Sequence, residues 1–146
     1  MRLSPVNEHG QYQDSEAGTI ASLSDQLFNE YGLSGYSLTP DDIQTALIAD
    51  FKLYAGWATT STQAKGLTTT LDGTQSVELG EWAVIEPLIR AHCEMIQAQR
   101  VEATASLGGE RFGLSMSEAS QKYSDAKLEA EKNAFVEEPF FMTFGN

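Results

Sequence analysis

The sequence contains few of the residues from which chemical sites are built. It has one cysteine, two histidines, and nine lysines and arginines among 146 residues. The single cysteine, Cys93, cannot form an internal disulfide, and no CxxC or HExxH spacing occurs, so a structural zinc site is excluded. We therefore predict no metal and no other cofactor.

Histidine, the residue most often used as a catalytic base, is present at only two positions. His9 falls in a polar stretch, residues 1–13, which we predict to be a flexible N-terminal arm. His92 falls on the apolar side of a predicted helix, next to Cys93. We expect His92 to be a hydrogen-bonded core or interface residue rather than a catalytic one.

The remaining candidates for chemistry also have structural interpretations. Carboxylates are plentiful, so their number alone does not exclude a general acid/base pair. Asp41, Asp42 and Glu118, however, stand at predicted helix starts, where they complement the helix dipole. The LGGERFG run at residues 107–113 follows a helix rather than a strand and lacks the Lys-Ser/Thr end of a phosphate-binding loop. We predict that the protein is not an enzyme.

Long apolar runs are also missing. The most apolar stretches are interrupted by charge or proline, as in AVIEPLI at residues 83–89. A membrane-spanning helix needs about 20 largely apolar residues. The first 16 residues lack the apolar centre of a secretory signal. We expect a soluble protein that is not exported.

Positive charge is scarce, and this limits the possible partners. Lysine and arginine number 9 against 21 aspartates and glutamates, which gives a net charge of -12. Gripping DNA or RNA requires clustered basic side chains that neutralise phosphates, and the sequence has no such cluster. Nucleic acid is nevertheless able to slide past an acidic wall, because like charges keep the backbone from adhering.

What the chain does have is helical periodicity, which predicts one mainly α domain over residues 14–134. The clearest helix start is Thr39-Pro40-Asp41-Asp42, which combines a capping hydroxyl, a proline at the first helical position and two acids. Apolar spacing and caps predict a small bundle of about four helices. They span residues 14–31, 39–58, 81–106 and 116–133.

The helical period is interrupted once, by GLTTTLDGTQSVELG at residues 66–80. The β-branched residues alternate, and Asp72-Gly73 is a dipeptide typical of tight hairpin turns. We predict a short β-hairpin near residues 67–78, with strands at 67–71 and 74–78. Because an isolated hairpin is only marginally stable, it must pack on the helices or pair with another subunit.

The stretch FVEEPFFMTFGN, residues 135–146, is rich in aromatic residues although chain ends are usually polar. Two interpretations remain open: the rings fold back over the bundle as a lid, or the segment leaves the domain as an extended arm. We favour a C-terminal docking arm, because aromatic anchors concentrate binding energy at interfaces. The predicted partner-binding residues are Phe135, Val136, Phe140, Phe141, Met142 and Phe144.

Several of these segments together resemble a known family. The segments are the Thr-rich stretch ending in EWAVIEPL (residues 81–88), the long helix with its Gly-Gly turn, the SMSE start (115–118) and the final helix entering FVEEP (135–139). Over residues 39–141 this order resembles the head-to-tail connector, or portal adaptor, proteins of tailed bacteriophages. EWxxIxPL is its most distinctive part.

The resemblance implies a structural role in the virion. Such adaptors are small helical subunits that form a twelve-membered ring under the portal protein and dock on it through C-terminal arms. For this chain it implies a homo-oligomeric ring at the head-to-tail interface, assembled in the host cytoplasm. The ring would extend and seal the DNA channel and contact a downstream neck or tail protein. The alternative is a small acidic regulatory or inhibitor protein that binds a host protein.

Overall fold

The protein is a mainly helical bundle with one two-stranded antiparallel sheet, and this confirms the predicted fold class. The computed structural model describes residues 15–106 and 114–137. The predicted arm at residues 1–13, the run at 107–113 and residues 138–146 lie outside the described residues. The elements are β1 (Glu16–Thr19), α1 (Ile20–Leu33), α2 (Pro40–Trp57), α3 (Ser61–Ala64), β2 (Ser76–Glu78), α4 (Leu79–Ser106) and α5 (Met116–Glu137).

Helix α2 begins where the sequence predicts. The Thr39 hydroxyl accepts a hydrogen bond from the Asp42 amide at 3.2 Å, and the Asp42 carboxylate accepts one from the Thr39 amide at 2.8 Å. This reciprocal capping box satisfies two backbone donors that a helix start otherwise leaves without partners. All the groups involved lie within four residues, which is why the sequence alone predicts this start.

Helix α1 begins later than predicted. Residues 16–19 form a strand, and Thr19 caps the helix through a box with Ser22. The predicted start at Asp14 or Ser15 is therefore wrong. The reason is tertiary, because the backbone before Thr19 pairs with β2 and so cannot also be helical.

The sheet has a different strand pair from the predicted hairpin. Strand β2 pairs antiparallel with β1, with Thr19 opposite Ser76 and Gly18 opposite Val77. The ladder continues beyond the strands, because the Ile20 amide donates to the Gln75 carbonyl at 3.0 Å. The backbone of 75–78 is thus bonded to residues far away in sequence. The predicted strand at 67–71 is wrong, since that segment forms no strand.

Helix α4 is the centre of the bundle and runs antiparallel to α2. Arg100 Nη1 of α4 lies 2.7 Å from Asp42 Oδ2 of α2. Eight residues later in α2, the Asp50 carboxylate contacts His92, which is eight residues earlier in α4. Pro87 lies within this 28-residue helix. The core between the helices is aliphatic, and its fully buried large side chains are Ile20, Leu23, Ile43, Leu47, Ile85, Leu88 and Ile89.

Helix α5 also lies antiparallel to α4, and it contacts α2 as well. Lys122 Nζ is 2.7 Å from Glu94 Oε2, and the Tyr123 and His92 rings are 4.4 Å apart. Most of its inward stripe is alanine, which lets the two backbones approach closely. The buried members are Ala119, Tyr123, Ala130 and Ala134.

The end of α5 corrects one predicted boundary. The helix continues to Glu137 through Phe135 and Val136, so the predicted extended arm does not begin at residue 135. No helix breaker occurs before Pro139, and proline disfavours helical geometry only at the residue that precedes it. Any extended segment therefore begins after Glu137.

The sheet gives a first testable prediction. Deleting residues 1–19 removes β1 and the Thr19 cap, and we expect this to lower the free energy of unfolding by about 2 kcal/mol or more. Deleting only residues 1–14 leaves β1 and the Thr19 cap in place. This shorter deletion should change the free energy of unfolding by less than about 0.5 kcal/mol. Urea titration followed by circular dichroism measures both variants. Equal stability of the two deletions would contradict the β1–β2 pairing.

Candidate functional site

A carboxylate lies in the centre of the bundle. Asp50, on α2, is 0% exposed and lies on the same helix face as Leu47, Phe51 and Tyr54. Removing a charged group from water is costly unless other groups pair with it and form hydrogen bonds to it. The contacts of Asp50 therefore determine how the surrounding helices can pack.

Two side chains from two other helices supply these contacts. The Tyr123 hydroxyl, from α5, donates to Asp50 Oδ1 at 2.7 Å. His92 Nδ1, from α4, lies 3.0 Å and 3.1 Å from the two carboxylate oxygens. Since a carboxylate only accepts hydrogen bonds, Nδ1 carries the hydrogen. One buried carboxylate thus joins α2, α4 and α5, and we call Asp50, His92 and Tyr123 the Asp50 cluster.

The environment of the Asp50 cluster keeps the Tyr123 hydroxyl and the adjacent Cys93 thiol protonated. Burial raises the pKa of the Tyr123 hydroxyl well above its ordinary value, and the hydrogen bond to Asp50 and its charge raise it further. Burial, followed by the charge of Asp50, raises the pKa of the adjacent Cys93 thiol to about 12. Tyr123 is therefore a hydrogen-bond donor at neutral pH. Cys93 is a buried, unreactive thiol.

The Asp50 cluster also contacts a charged side chain outside it, that of Lys127. Lys127 Nζ lies 4.5 Å from the centre of the Tyr123 ring, on the same helix one turn later. A cation over an aromatic face is attracted by the ring quadrupole. The Lys127 contact and the His92 ring together hold Tyr123 in the orientation that reaches Asp50.

The exposed edge of His92 borders an open pocket of about 480 Å³ between α2 and α4. Asp41, Asp42 and Thr45 supply polar groups to its lining, while Ile96 and two alanines supply apolar surface. No hydrogen bond in the described part of the chain joins Thr45 to His92. Nor do the described residues contain a group of three or more His, Cys, Asp or Glu side chains placed to hold a metal ion. Among the described residues, His92 and Thr45 therefore line the same pocket without forming a hydrogen-bonded pair.

A second candidate site is an apolar strip on the outer face of α5. Leu128 is 68% exposed and Phe135 is 50% exposed. They are seven residues apart, so they lie on one face of the helix, opposite the buried alanines. We call these two residues the α5 strip. Interaction surfaces are typically contiguous exposed apolar patches. Leu128 and Phe135 are two separate exposed side chains, and the exposed Lys132 lies between them on the same face.

The structure describes only part of the predicted partner-binding set. Phe135 is exposed on the α5 strip, as a docking residue should be. Val136 belongs to the same helix, and its side chain is not among the described ones. The other four predicted residues lie outside the described residues, so their role stays a prediction: Phe140, Phe141, Met142 and Phe144.

Sequence reasoning missed the Asp50 cluster, although one signal for it was present. Asp50 falls at the helical spacing of Ile43, Leu47 and Phe51, where an apolar residue is expected. A carboxylate on an apolar stripe indicates a buried charge with partners. Which partners it has depends on how α4 and α5 pack, and no local pattern in the sequence contains that information.

Comparison with known proteins adds no relative. No family model, curated protein or solved structure matches the chain. Within residues 15–106 and 114–137, no helix is both long and apolar enough to cross a membrane.

The Asp50 cluster gives a second prediction. Tyr123→Phe removes a donor to a buried carboxylate and should lower the free energy of unfolding by roughly 1.5–3 kcal/mol. Asp50→Ala leaves two polar side chains without their partner and should cost about 3–5 kcal/mol. Urea titration measures both effects. In the double variant, the two losses of stability should not add, because both substitutions remove the same Tyr123–Asp50 hydrogen bond.

Tyr31→Phe is the matched control for this prediction. The Tyr31 hydroxyl is also largely buried, but it donates to an uncharged group, the Arg90 carbonyl, at 3.4 Å. We expect its removal to cost less than about 1 kcal/mol. A Tyr123→Phe variant no less stable than Tyr31→Phe would show that the Asp50 cluster does not hold α5.

Proposed function

We propose that the protein is a structural subunit of a tailed bacteriophage, a head-to-tail adaptor that assembles into a homo-oligomeric ring under the portal. In this proposal it has no reaction of its own and needs no cofactor. The observation that carries the proposal is the α5 strip, Leu128 and Phe135, which leads directly into the aromatic residues 140–144. The family resemblance of residues 39–141 supports the same function.

The α5 strip has the properties of an assembly contact. Full burial of a leucine or phenylalanine side chain contributes roughly 1.5–3 kcal/mol, and aromatic anchors are enriched among the residues that dominate interfaces. Helix α5 has 22 residues, so it is about 33 Å long. It is long enough to carry a contact surface along one side while its alanine side packs on α4.

The charge supports the proposed channel function. A net charge of -12 repels phosphate, and repulsion prevents DNA from adhering to the wall of a channel. In the proposal, DNA passes through the ring without sequence-specific binding. The C-terminal segment docks on the portal, and the opposite side of the ring receives a neck or tail protein. The location that follows from this proposal is the virion, at the head-to-tail interface.

The Asp50 cluster supports the proposal because a docking helix must have a fixed position. Small alanine side chains bury little apolar area, so they alone hold α5 weakly. The hydrogen bond from Tyr123 to Asp50 adds a directional contact that specifies the position of the helix. The α5 strip is thereby presented at one orientation to a partner.

A second candidate function has support from the same surface. A small acidic protein with an exposed apolar strip also fits a regulator or inhibitor that binds one host protein. The two functions differ in stoichiometry. An adaptor forms rings, alone or on the portal, whereas a regulator binds its target as a monomer or dimer.

The third prediction tests assembly. Size-exclusion chromatography with light scattering, with and without purified portal protein, should show ring-sized species or portal-bound rings. We expect the double variant Leu128→Lys and Phe135→Lys to weaken assembly at least roughly thirtyfold, the effect of losing about 2 kcal/mol at a central contact. Deletion of residues 138–146 should abolish portal binding while the circular dichroism spectrum stays helical.

Leu33→Lys is the control. Leu33 is 92% exposed at the end of α1 and is not part of the α5 strip, so its replacement should leave assembly unchanged. A wild-type protein that stays monomeric or dimeric and does not bind the portal would contradict the adaptor function. That outcome would favour the regulator.

A further inference from the structure

The large apolar side chains of the core come from every long helix except α5. The fully buried ones belong to α1, α2, β2 and α4, and they are Ile20, Leu23, Ile43, Leu47, Val77, Ile85, Leu88 and Ile89. Among the described side chains of α5, Tyr123 is the one buried residue larger than alanine. Detachment of α5 would therefore take no large aliphatic side chain out of the core.

Few side-chain contacts hold α5 on the bundle. Apolar stabilisation grows with the area buried, and each buried alanine contributes a single methyl group. Lys122 Nζ lies 2.7 Å from Glu94 Oε2 of α4, but the Lys122 side chain is 55% exposed, and an ion pair in contact with water contributes little. Among the described residues, the strongest directional contact of α5 is thus the hydrogen bond from Tyr123 to Asp50, at 2.7 Å.

The Asp50 carboxylate retains one partner and gains water when α5 leaves. His92 Nδ1, which lies 3.0 Å and 3.1 Å from the carboxylate oxygens, belongs to α4 and would stay in contact. Tyr123 contacts Asp50 directly, so removal of α5 opens that side of the carboxylate to water. Burial of a charge costs free energy, and hydration therefore offsets part of the lost hydrogen bond. The contact that fixes the position of α5 is thus one that water is able to replace.

We propose that α5 is a releasable helix, which detaches from the bundle as one unit while β1, α1, α2, β2 and α4 stay folded. Proteins open locally in cooperative units whose opening free energies lie below that of global unfolding. The released state exposes the alanine side of α5 and the side of α4 that it covers. A protein that binds either surface shifts the equilibrium toward release. This inference concerns the isolated subunit and does not rest on the proposed function.

Native-state hydrogen exchange of the full-length protein at increasing urea concentrations tests the proposal, under conditions where opening and closing are faster than exchange. The amides between Tyr123 and Ala130 in α5 should exchange at least roughly tenfold faster, after correction for intrinsic rates, than those of Leu47 and Phe51 in α2. The α5 amides should share one dependence on urea. Its slope should be smaller than that of the α2 amides, because release exposes less surface than global unfolding.

Two matched variants separate release of α5 from global unfolding. Ile20→Val removes one methylene from the core that stays folded in the released state. It should speed exchange of the α2 amides roughly fivefold and leave exchange of the α5 amides unchanged. Tyr123→Phe removes a contact that is absent from both the released and the unfolded state. It should therefore speed exchange in both helices by the same factor, roughly tenfold or more.

Three outcomes of this experiment overturn the inference. In the first, the α5 and α2 amides have one urea slope and respond equally to Ile20→Val, which means that α5 opens only when the whole protein unfolds. In the second, protection within α5 decreases gradually toward its ends without a shared dependence on urea, which is fraying rather than release. In the third, Tyr123→Phe leaves exchange of the α5 amides unchanged, so the hydrogen bond to Asp50 does not control release.

Discussion

The buried Asp50 carboxylate imposes a constraint that the rest of the bundle satisfies. A charge at 0% exposure is tolerated only where donors surround it. Here one donor comes from α4 and one from α5, so the three helices can pack together in only one relative arrangement. Apolar contacts alone would let the helices slide or rotate at little cost in free energy. Hydrogen bonds to a single carboxylate are directional and oppose such movements.

This constraint matters most for α5. Its inner side is mainly alanine, and its outer side carries Leu128 and Phe135. A larger inner stripe would hold the helix more firmly but would also keep its backbone further from α4. The chain instead combines close approach with one polar anchor, Tyr123. The surface that we propose for assembly thus depends on a side chain that is itself buried.

Most of what could be predicted from the sequence is local. The Thr39 cap, Pro40 and Asp42 lie within four residues, and α2 begins where they indicate. The pairing of 76–78 with 16–19 joins residues about sixty positions apart, so turn composition at Asp72-Gly73 predicted the wrong partner. For the site, composition predicts Phe135 as a docking residue, and the structure shows only that its side chain is exposed. Asp50 was missed because its partners are determined by tertiary packing.

The β1–β2 pairing also affects the order of folding. Closing a loop of nearly sixty residues costs chain entropy before the sheet contributes any stability, whereas the shorter connection between α4 and α5 closes at less cost. We therefore expect the sheet to form after the folding transition state, with φ-values near zero at Val77 and higher ones around Tyr123. During synthesis, residues 16–19 must wait for β2 to leave the ribosome before they can pair.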